Sequence, residues 1–404
     1  MSLHSLMFGW EFPPVHSGGL GVACEGLVNG LLKHNVRVTL VLPHNQAKKG
    51  ENFDVRFPTE EMYRSIEVES NLLAYDDFLS YQERMHAGTM PCNVQELYGP
   101  DLGSAVHLYT EKSIEMTKDV HADVIHTHDW MTYEAGCRAS KHHDIPMVAH
   151  VHATELDRTD FQPNPWIAQR ERSGLQKAHK VIAVSNYTKG LLTNHYGIAE
   201  DKISVVHNGH DTDMATATMR KVRRNNNDPM VMFLGRMTIQ KNPWQFLEAA
   251  HRILQVQSNI KFVMAGGGSM LDELINRACE LGIQDSVLFA GKVSQQEVKE
   301  LFARADCFVM PSLSEPFGLV ALEAISHGVP VVLSRQSGAS EVIEHGFKVD
   351  FWDTDKMADC ILTILREEPL AHQLRSEAPR VLQRLNWHNQ AGVVHSIYKN
   401  ITQS

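Results

Sequence analysis

The chain has 404 residues, 43% of them hydrophobic and 21% charged, with a formal net charge of −10. That length exceeds what one hydrophobic core ordinarily serves, so two domains of roughly 200 residues each are expected. The acidic balance excludes a nucleic-acid backbone as the main partner, because phosphate chains need a basic surface, but it leaves room for a small anionic ligand in one cleft.

Short β-branched runs alternate with amphipathic stretches along the chain, the pattern of strand, helix, strand units around parallel sheets. In the first half strands are predicted at Ser5–Gly9, Val36–Leu42, Ala105–Leu108, Val124–Thr127, Met147–Val151, Val181–Val184 and Ile203–Val206. Helices are predicted at Leu20–Lys33, Met131–His142 and Tyr187–His195. The polar stretch 208–229, with the run Arg223-Arg224-Asn225-Asn226-Asn227, reads as a linker. Strands resume at Met230–Leu234, Lys261–Ala265, Val287–Ala290, Cys307–Met310 and Val329–Leu333. After Asp353 the pattern is helical, and the segment from Trp387 to Tyr398 is expected to leave its own domain and cross back to the first. The expected organisation is therefore a domain at 1–207, a linker at 208–229, a second domain at 230–386 and a returning helix at 387–404.

Six cysteines without a CxxC pair predict reduced thiols. No window of about 18 apolar residues and no basic-then-apolar leader is present, so a cytoplasmic protein is expected.

Several segments carry chemistry. In Gly9–Gly21, GWEFPPVHSGGLG, adjacent Gly18 and Gly19 open a helix after a strand, where free amides suit a phosphate, although a plain tight turn explains the glycines as well. Arg236 follows the strand ending FLG and Lys241 comes five residues later. Cations at the end of a parallel strand stand where open α/β sheets bind ligands, and two of them suit a departing diphosphate. In SEPFGLVALE, Glu315 lies at a strand end with Glu323 seven intervening residues on, and Gly318 marks the start of a helix. One carboxylate is thereby placed to address a sugar and the other a ribose, since each accepts two hydroxyl hydrogen bonds. The turn Ala265-Gly266-Gly267-Gly268-Ser269 allows backbone to approach a base or ribose, or is simply a strand-to-helix turn. His126 with His128, and His150 with His152, each share a strand face. No HExxH, cysteine cluster or carboxylate triad accompanies them, so no metal is expected and hydrogen bonding is. His152 is expected to line the cleft, and Asp129 to meet the acceptor or the loop above it.

These segments resemble the retaining glycosyltransferases of the GT-B fold, in the fourth sequence family near the glycogen and starch synthases. The resemblance rests on EFPPVHSGGLG, HTHDW (His126–Trp130), HVHATE (His150–Glu155), FLGRMTIQKN (Phe233–Asn242) and SEPFGLVALEAISHGVPVV (Ser314–Val332), and spans nearly the whole chain. It implies two doubly wound Rossmann-like α/β domains facing an interdomain cleft, the first on the acceptor side and the second binding the nucleotide sugar, with domain closure over the substrate. It further implies that Arg236 and Lys241 bind the donor diphosphate, Glu323 the ribose and Glu315 the transferred sugar, assisted by the Gly318 and Leu319 amides. Gly18, Gly19 and Gly266 join the donor site, His152 contacts the sugar near the reacting carbon, and Asp129 and Glu155 stand on the acceptor side. No cofactor and no metal is implied; the departing phosphate itself takes the acceptor's proton while Arg, Lys and helix amides supply the positive charge.

The implied activity is transfer of a hexose, with glucose favoured, from a UDP or ADP donor to a hydroxyl acceptor, with an α-glucan favoured over a lipopolysaccharide, glycolipid or exopolysaccharide precursor. Partners are thus a nucleotide diphosphate sugar and a glycan, with neither nucleic acid nor a membrane segment. Two departures bear on the donor and product. His16-Ser17-Gly18-Gly19 stands where bacterial glycogen synthases carry a KTGGL loop, and Glu323 is present where they lack the second carboxylate. The rival classes are a phosphorylase, for which no pyridoxal lysine is nominated, a sugar-binding protein, which would carry an export leader, a regulatory homologue, which would have lost Arg236, Lys241 or Glu315, and a sugar-nucleotide epimerase of GT-B shape, against which donor hydrolysis without isomerisation would discriminate.

Overall fold

The computed structural model describes residues 2–14, 18–43, 53–57, 102–210 and 228–403. The chain divides into two compact units, Met1–Gly209 together with Trp387–Ser404, and His210–Asn386. Most of the predicted linker, and the Arg223–Asn227 run within it, lies outside the described residues, as do His16 and Ser17.

The first unit runs β1 (His4–Phe8), α1 (Gly19–Lys33), β2 (Arg37–Val41), β3 (Phe53–Arg56), α2 (Leu102–Thr117) and β4 (Val124–His128). It continues with α3 (Trp130–His143), β5 (Met147–Val151), α4 (Glu155–Arg158), α5 (Pro165–Lys177), β6 (Lys180–Ala183), α6 (Asn186–Tyr196) and β7 (Ile203–Val205). Its parallel sheet has the order β3-β2-β1-β4-β5-β6-β7. The central strands β1, β4 and β5 are buried at every position, as sheets covered on both faces require.

The second unit runs β8 (Met230–Leu234), α7 (Pro243–Val256), β9 (Lys261–Ala265), α8 (Leu271–Glu280), β10 (Val287–Gly291), α9 (Gln295–Arg304) and β11 (Cys307–Met310). Then come α10 (Leu319–Ser326), β12 (Val331–Ser334), α11 (Ala339–Val342), β13 (Phe347–Val349), α12 (Thr354–Arg366), α13 (Glu368–Ser376) and α14 (Ala378–Arg384). The order of this parallel sheet is β10-β9-β8-β11-β12-β13. Helix α7 shows why it packs: Phe246, Ala249, Ala250 and Ile253 recur at helical spacing and are fully buried in the core. Both sheets reverse direction of strand progression at one place, between β1 and β4 in the first and between β8 and β11 in the second. Open α/β sheets bind ligands at the carboxyl ends of the strands flanking that place.

The strand predicted at Ala105–Leu108 is corrected: those residues are inside α2. Leu102, Val106, Tyr109, Thr110, Ser113, Met116 and Thr117 are its buried positions among the described side chains, a helical period that outweighs a short apolar run. The Tyr109 hydroxyl donates to the carbonyls of Val41 (2.9 Å) and Gly9 (3.2 Å), tying α2 to the ends of β1 and β2. Two edge strands, β3 and β13, went unpredicted, being only four and three residues long.

The last helix, α15 (Trp387–Thr402), belongs to the first unit and lies on α1. Gly26 and Gly30 make room for it. A Cβ on Gly26 would fall 2.1 Å from Trp387 Cε2, and one on Gly30 would fall 2.6 Å from the Trp387 carbonyl and from Ala391 Cβ. Gly209 meets the same tryptophan, with a Cβ position 2.7 Å from its ring.

Candidate active site

In the second unit the site is built where the strand order reverses. The loop after β8 carries Gly235, Arg236 and, at the end of one short 3-10 turn (Ile239–Lys241), Lys241. The loop after β11 carries Ser312 to Gly318. Lys241 Nζ donates to Glu315 Oε2 at 2.5 Å, and the Ser312 hydroxyl donates to the same oxygen at 3.2 Å. The Lys241 side chain keeps 22% of its exposure and that of Glu315 only 7%, so the ammonium sits at the rim and the carboxylate below it.

Gln240, which sequence reasoning passed over although it lies in the TIQKN motif, joins the two loops. Its side chain accepts from Arg236 Nη2 (3.1 Å) and donates to the Ser314 carbonyl (3.2 Å), and its own carbonyl accepts from the Leu313 amide (3.0 Å). The backbone of Glu315 is fixed in turn by the loop after β12, donating to Gln336 O (2.9 Å) and accepting from Gly338 N (3.0 Å). These bonds hold the two cations and the carboxylate in one place before any ligand arrives, as preorganised electrostatic sites require.

Gly318 caps α10 at φ 99°, where a side chain is strained, and a Cβ there would stand 2.8 Å from Met310 Cε and 3.2 Å from Glu315 Cγ. Leu319 opens that helix, and its amide belongs to the first turn, whose N–H groups lack helical partners. Glu323 lies in the second turn of α10, partly buried; burial raises its carboxyl above the ordinary range, against the pull of His327 and Lys299. The glycines after β9 have a clear structural cause. Gly266 (φ 129°) has its Cβ position 1.9 Å from the Gly235 carbonyl, and Gly268 (φ 158°) 2.4 Å from that of Met237. The turn expected to meet a base or ribose thus packs against the loop bearing Arg236, where only glycine fits.

In the first unit Gly18 precedes α1, with Gly18 half-buried and Gly19 exposed, so the amides at this helix start are open to solvent. His126, His128, His150 and His152 lie together. His128 and His150 are register partners on β4 and β5, and the rings stack, 4.3 Å apart for His150 with His152. His126 Nε2 shares a hydrogen bond with His150 Nδ1 (3.2 Å), His128 Nδ1 with His152 Nε2 (2.9 Å), and His126 Nδ1 with the hydroxyl of Tyr398 from α15 (2.6 Å). Burial is the first cause that lowers the pKa of all four imidazoles, to about 3 for His126 and for His152, so they are neutral.

Asp129 and Glu155, expected on the acceptor side, are buried, with at most 1% exposure. Asp129 caps α3 at φ 59°, an uncommon conformation for a side-chain-bearing residue, and its Oδ1 accepts the His152 amide at 2.7 Å. Arg158 stands 3.9 Å from Asp129 and 3.7 Å from Glu155. Their structural reason is to fix the turn that presents His152. Beneath them Glu171 accepts from the Glu155 amide (2.9 Å) and from the Tyr196 hydroxyl, and burial pushes its carboxyl up to about 8.

Residues 17–214 match the family described as Glycosyltransferase Family 4, and residues 215–381 the family described as Glycosyl transferases group 1. The chain belongs to the family-4-like glycosyltransferases of the GT-B fold. This glycosyltransferase is 29% identical to an uncharacterized glycosyltransferase of Methanocaldococcus jannaschii, over 97% of each chain. It is 26% identical to the glycogen synthase of Mycobacterium tuberculosis, over 97% of this chain and 94% of that one. Its fold is similar to that of the sucrose-phosphate synthase of Thermosynechococcus elongatus, with a TM-score of 0.77, 18% identity and 98% of each chain covered. Among the described residues of the glycosyltransferase no helix is long and apolar enough to cross a membrane.

Proposed function

We propose that this glycosyltransferase moves a hexose, with glucose favoured, from a nucleotide diphosphate sugar to a hydroxyl of a glycan acceptor, with retention at the anomeric carbon and without a metal. The observation that carries the reading is the Lys241–Glu315 pair at the ends of the two strands where the second sheet reverses. An ammonium at the rim, with the Arg236 guanidinium five residues earlier held by Gln240, can neutralise a diphosphate as it departs. The carboxylate of Glu315 then exchanges its ammonium for sugar hydroxyls, and the amides of Gly318 and Leu319 add to the positive field. Glu323, whose charge is held back by burial, accepts the ribose hydroxyls, which resupply the hydrogen bonds that burial removed. His152, neutral and with its amide anchored to Asp129, contacts the sugar. The acceptor proton goes to the departing phosphate oxygen, so positioning and charge supply the rate. The likeness to a glycogen synthase favours an α-glucan as acceptor.

The test is a panel of UDP- and ADP-sugars, with and without maltooligosaccharides, read by nucleoside diphosphate release and by the anomeric signal of the product. Acceptor-dependent release, an α product and an unchanged rate with EDTA are expected. A β product, or a rate abolished by EDTA and restored by a divalent ion, overturns retention or metal independence respectively, and release with no donor overturns the reading altogether.

A further inference from the structure

We propose that Cys24, His128 and His152 form a binding site for a thiophilic divalent cation, represented by Zn2+, inside the first unit. The sequence alone left the histidines without a cysteine partner. Folding supplies one by bringing Cys24 of α1 beside His128 at the end of β4 and His152 just after β5: a ligand atom from each of the three residues lies within 4.8 Å of the other two, and all three are buried. The nitrogens that face one another are His128 Nδ1 and His152 Nε2, while the outer nitrogens of the same rings, His128 Nε2 and His152 Nδ1, are buried with no hydrogen-bond partner among the described residues.

Geometry and chemistry agree with a small ion. His128 Nδ1 and His152 Nε2 stand 2.9 Å apart, and two nitrogens on one tetrahedral zinc are separated by roughly 3.3 Å, so the imidazoles open by less than half an ångström. A sulfur and a nitrogen on the same ion are roughly 3.6 Å apart, which asks about an ångström of closure from the outer limit of the cluster. On binding, the thiol proton passes to solvent and the thiolate, two imidazoles and one open position complete the coordination. Cys24 and His128 are 0% exposed and His152 is 7%, so the ion enters past His152. Because the proposed reaction uses His152, an ion held there blocks transfer; this consequence rests on the reading above, whereas the binding does not.

The experiment uses the full-length reduced protein, stripped of metal, with Zn2+ titrated against a chromogenic chelator and Co2+ followed by its thiolate charge-transfer band. One equivalent bound and a band in the wild type are expected. Cys24→Ser should remove the band and weaken zinc binding by at least the roughly 100-fold that disturbing even an outer-shell partner can cost. Cys137→Ser and His150→Gln should leave both intact. X-ray absorption on the wild-type zinc complex guards against a misfolded variant, and one sulfur with two imidazole nitrogens is the expected shell. Absence of stoichiometric binding, a sulfur-free shell, or zinc binding that survives Cys24→Ser and is lost in His150→Gln overturns the site. Zinc should inhibit transfer by the wild type and not by Cys24→Ser. Stoichiometric binding by a protein that turns over no donor leaves the site standing and overturns the proposed reaction.

Discussion

Lys241 and Glu315 neutralise one another at 2.5 Å, and each is set by bonds that do not depend on the other: Lys241 by the turn from Thr238, Glu315 by Gln336 and Gly338. Removing either charge should therefore spare the fold and cost the reaction. Lys241→Ala and Glu315→Gln are each expected to lower kcat by about 10²–10³, the usual loss when one preorganised electrostatic partner is removed, with the thermal midpoint nearly unchanged. A near-normal rate in a folded variant would move the leaving-group site elsewhere. Gly318→Ala tests the backbone instead. At φ 99°, with Met310 Cε 2.8 Å from the new methyl, it should cost about 1–3 kcal/mol in denaturant unfolding, and it should raise KM for the donor by displacing Glu315. That Arg236, Lys241 and Glu315 come together at strand ends was legible because strand-end position and residue type coincide. Gln240 was not, since its role is to join two loops 74 residues apart, and nothing local announces that.

At the scale of elements, buried central strands such as Met147–Val151 and Cys307–Met310 were readable because short, largely apolar runs of four or five residues between turns are too short for a buried helix. Helix α2 was misread because four of its residues imitate a strand, and only the longer period shows the helix. The docking of α15 on α1 has a sequence trace in Gly26 and Gly30, whose spacing puts both on one helix face. Gly26→Leu should strip α15 from α1, since even a methyl would overlap the Trp387 ring. Faster amide exchange throughout 387–402 and a lower melting midpoint are the expected signs; unchanged protection there would mean that α15 is held by something other than this groove. Loss of α15 also removes Tyr398 from His126, so the histidine cluster should loosen with it.

For the molecule as a whole, buried acids and bases make stability depend on pH. Glu171 is held up to about 8 by burial against an unfolded value of 4.5, so between those pH values the folded state keeps a proton that the unfolded state has lost. Its contribution is full below pH 4.5 and is lost as pH rises towards 8, at about 1.4 kcal/mol per pH unit. Glu171→Gln, which preserves the contacts to the Glu155 amide and Tyr196, should gain in unfolding free energy relative to the wild type as pH rises from 5 to 8, the buried histidines contributing equally to both proteins; a difference that stays constant with pH would show that Glu171 carries no such dependence. The chain leaves its first unit at Gly209 and re-enters it at Trp387, so this stability is shared by residues at opposite ends of the sequence. By itself the sequence determined that two parallel α/β sheets form and that cations and carboxylates stand at strand ends, because both follow from local period and residue type. Only the tertiary structure decided that Asp129 and Glu155 are buried, that the Gly266 turn serves the Arg236 loop, and that Cys24 meets His128 and His152. Those outcomes depend on which strands become neighbours and how closely backbones approach, and neither is encoded within any one segment.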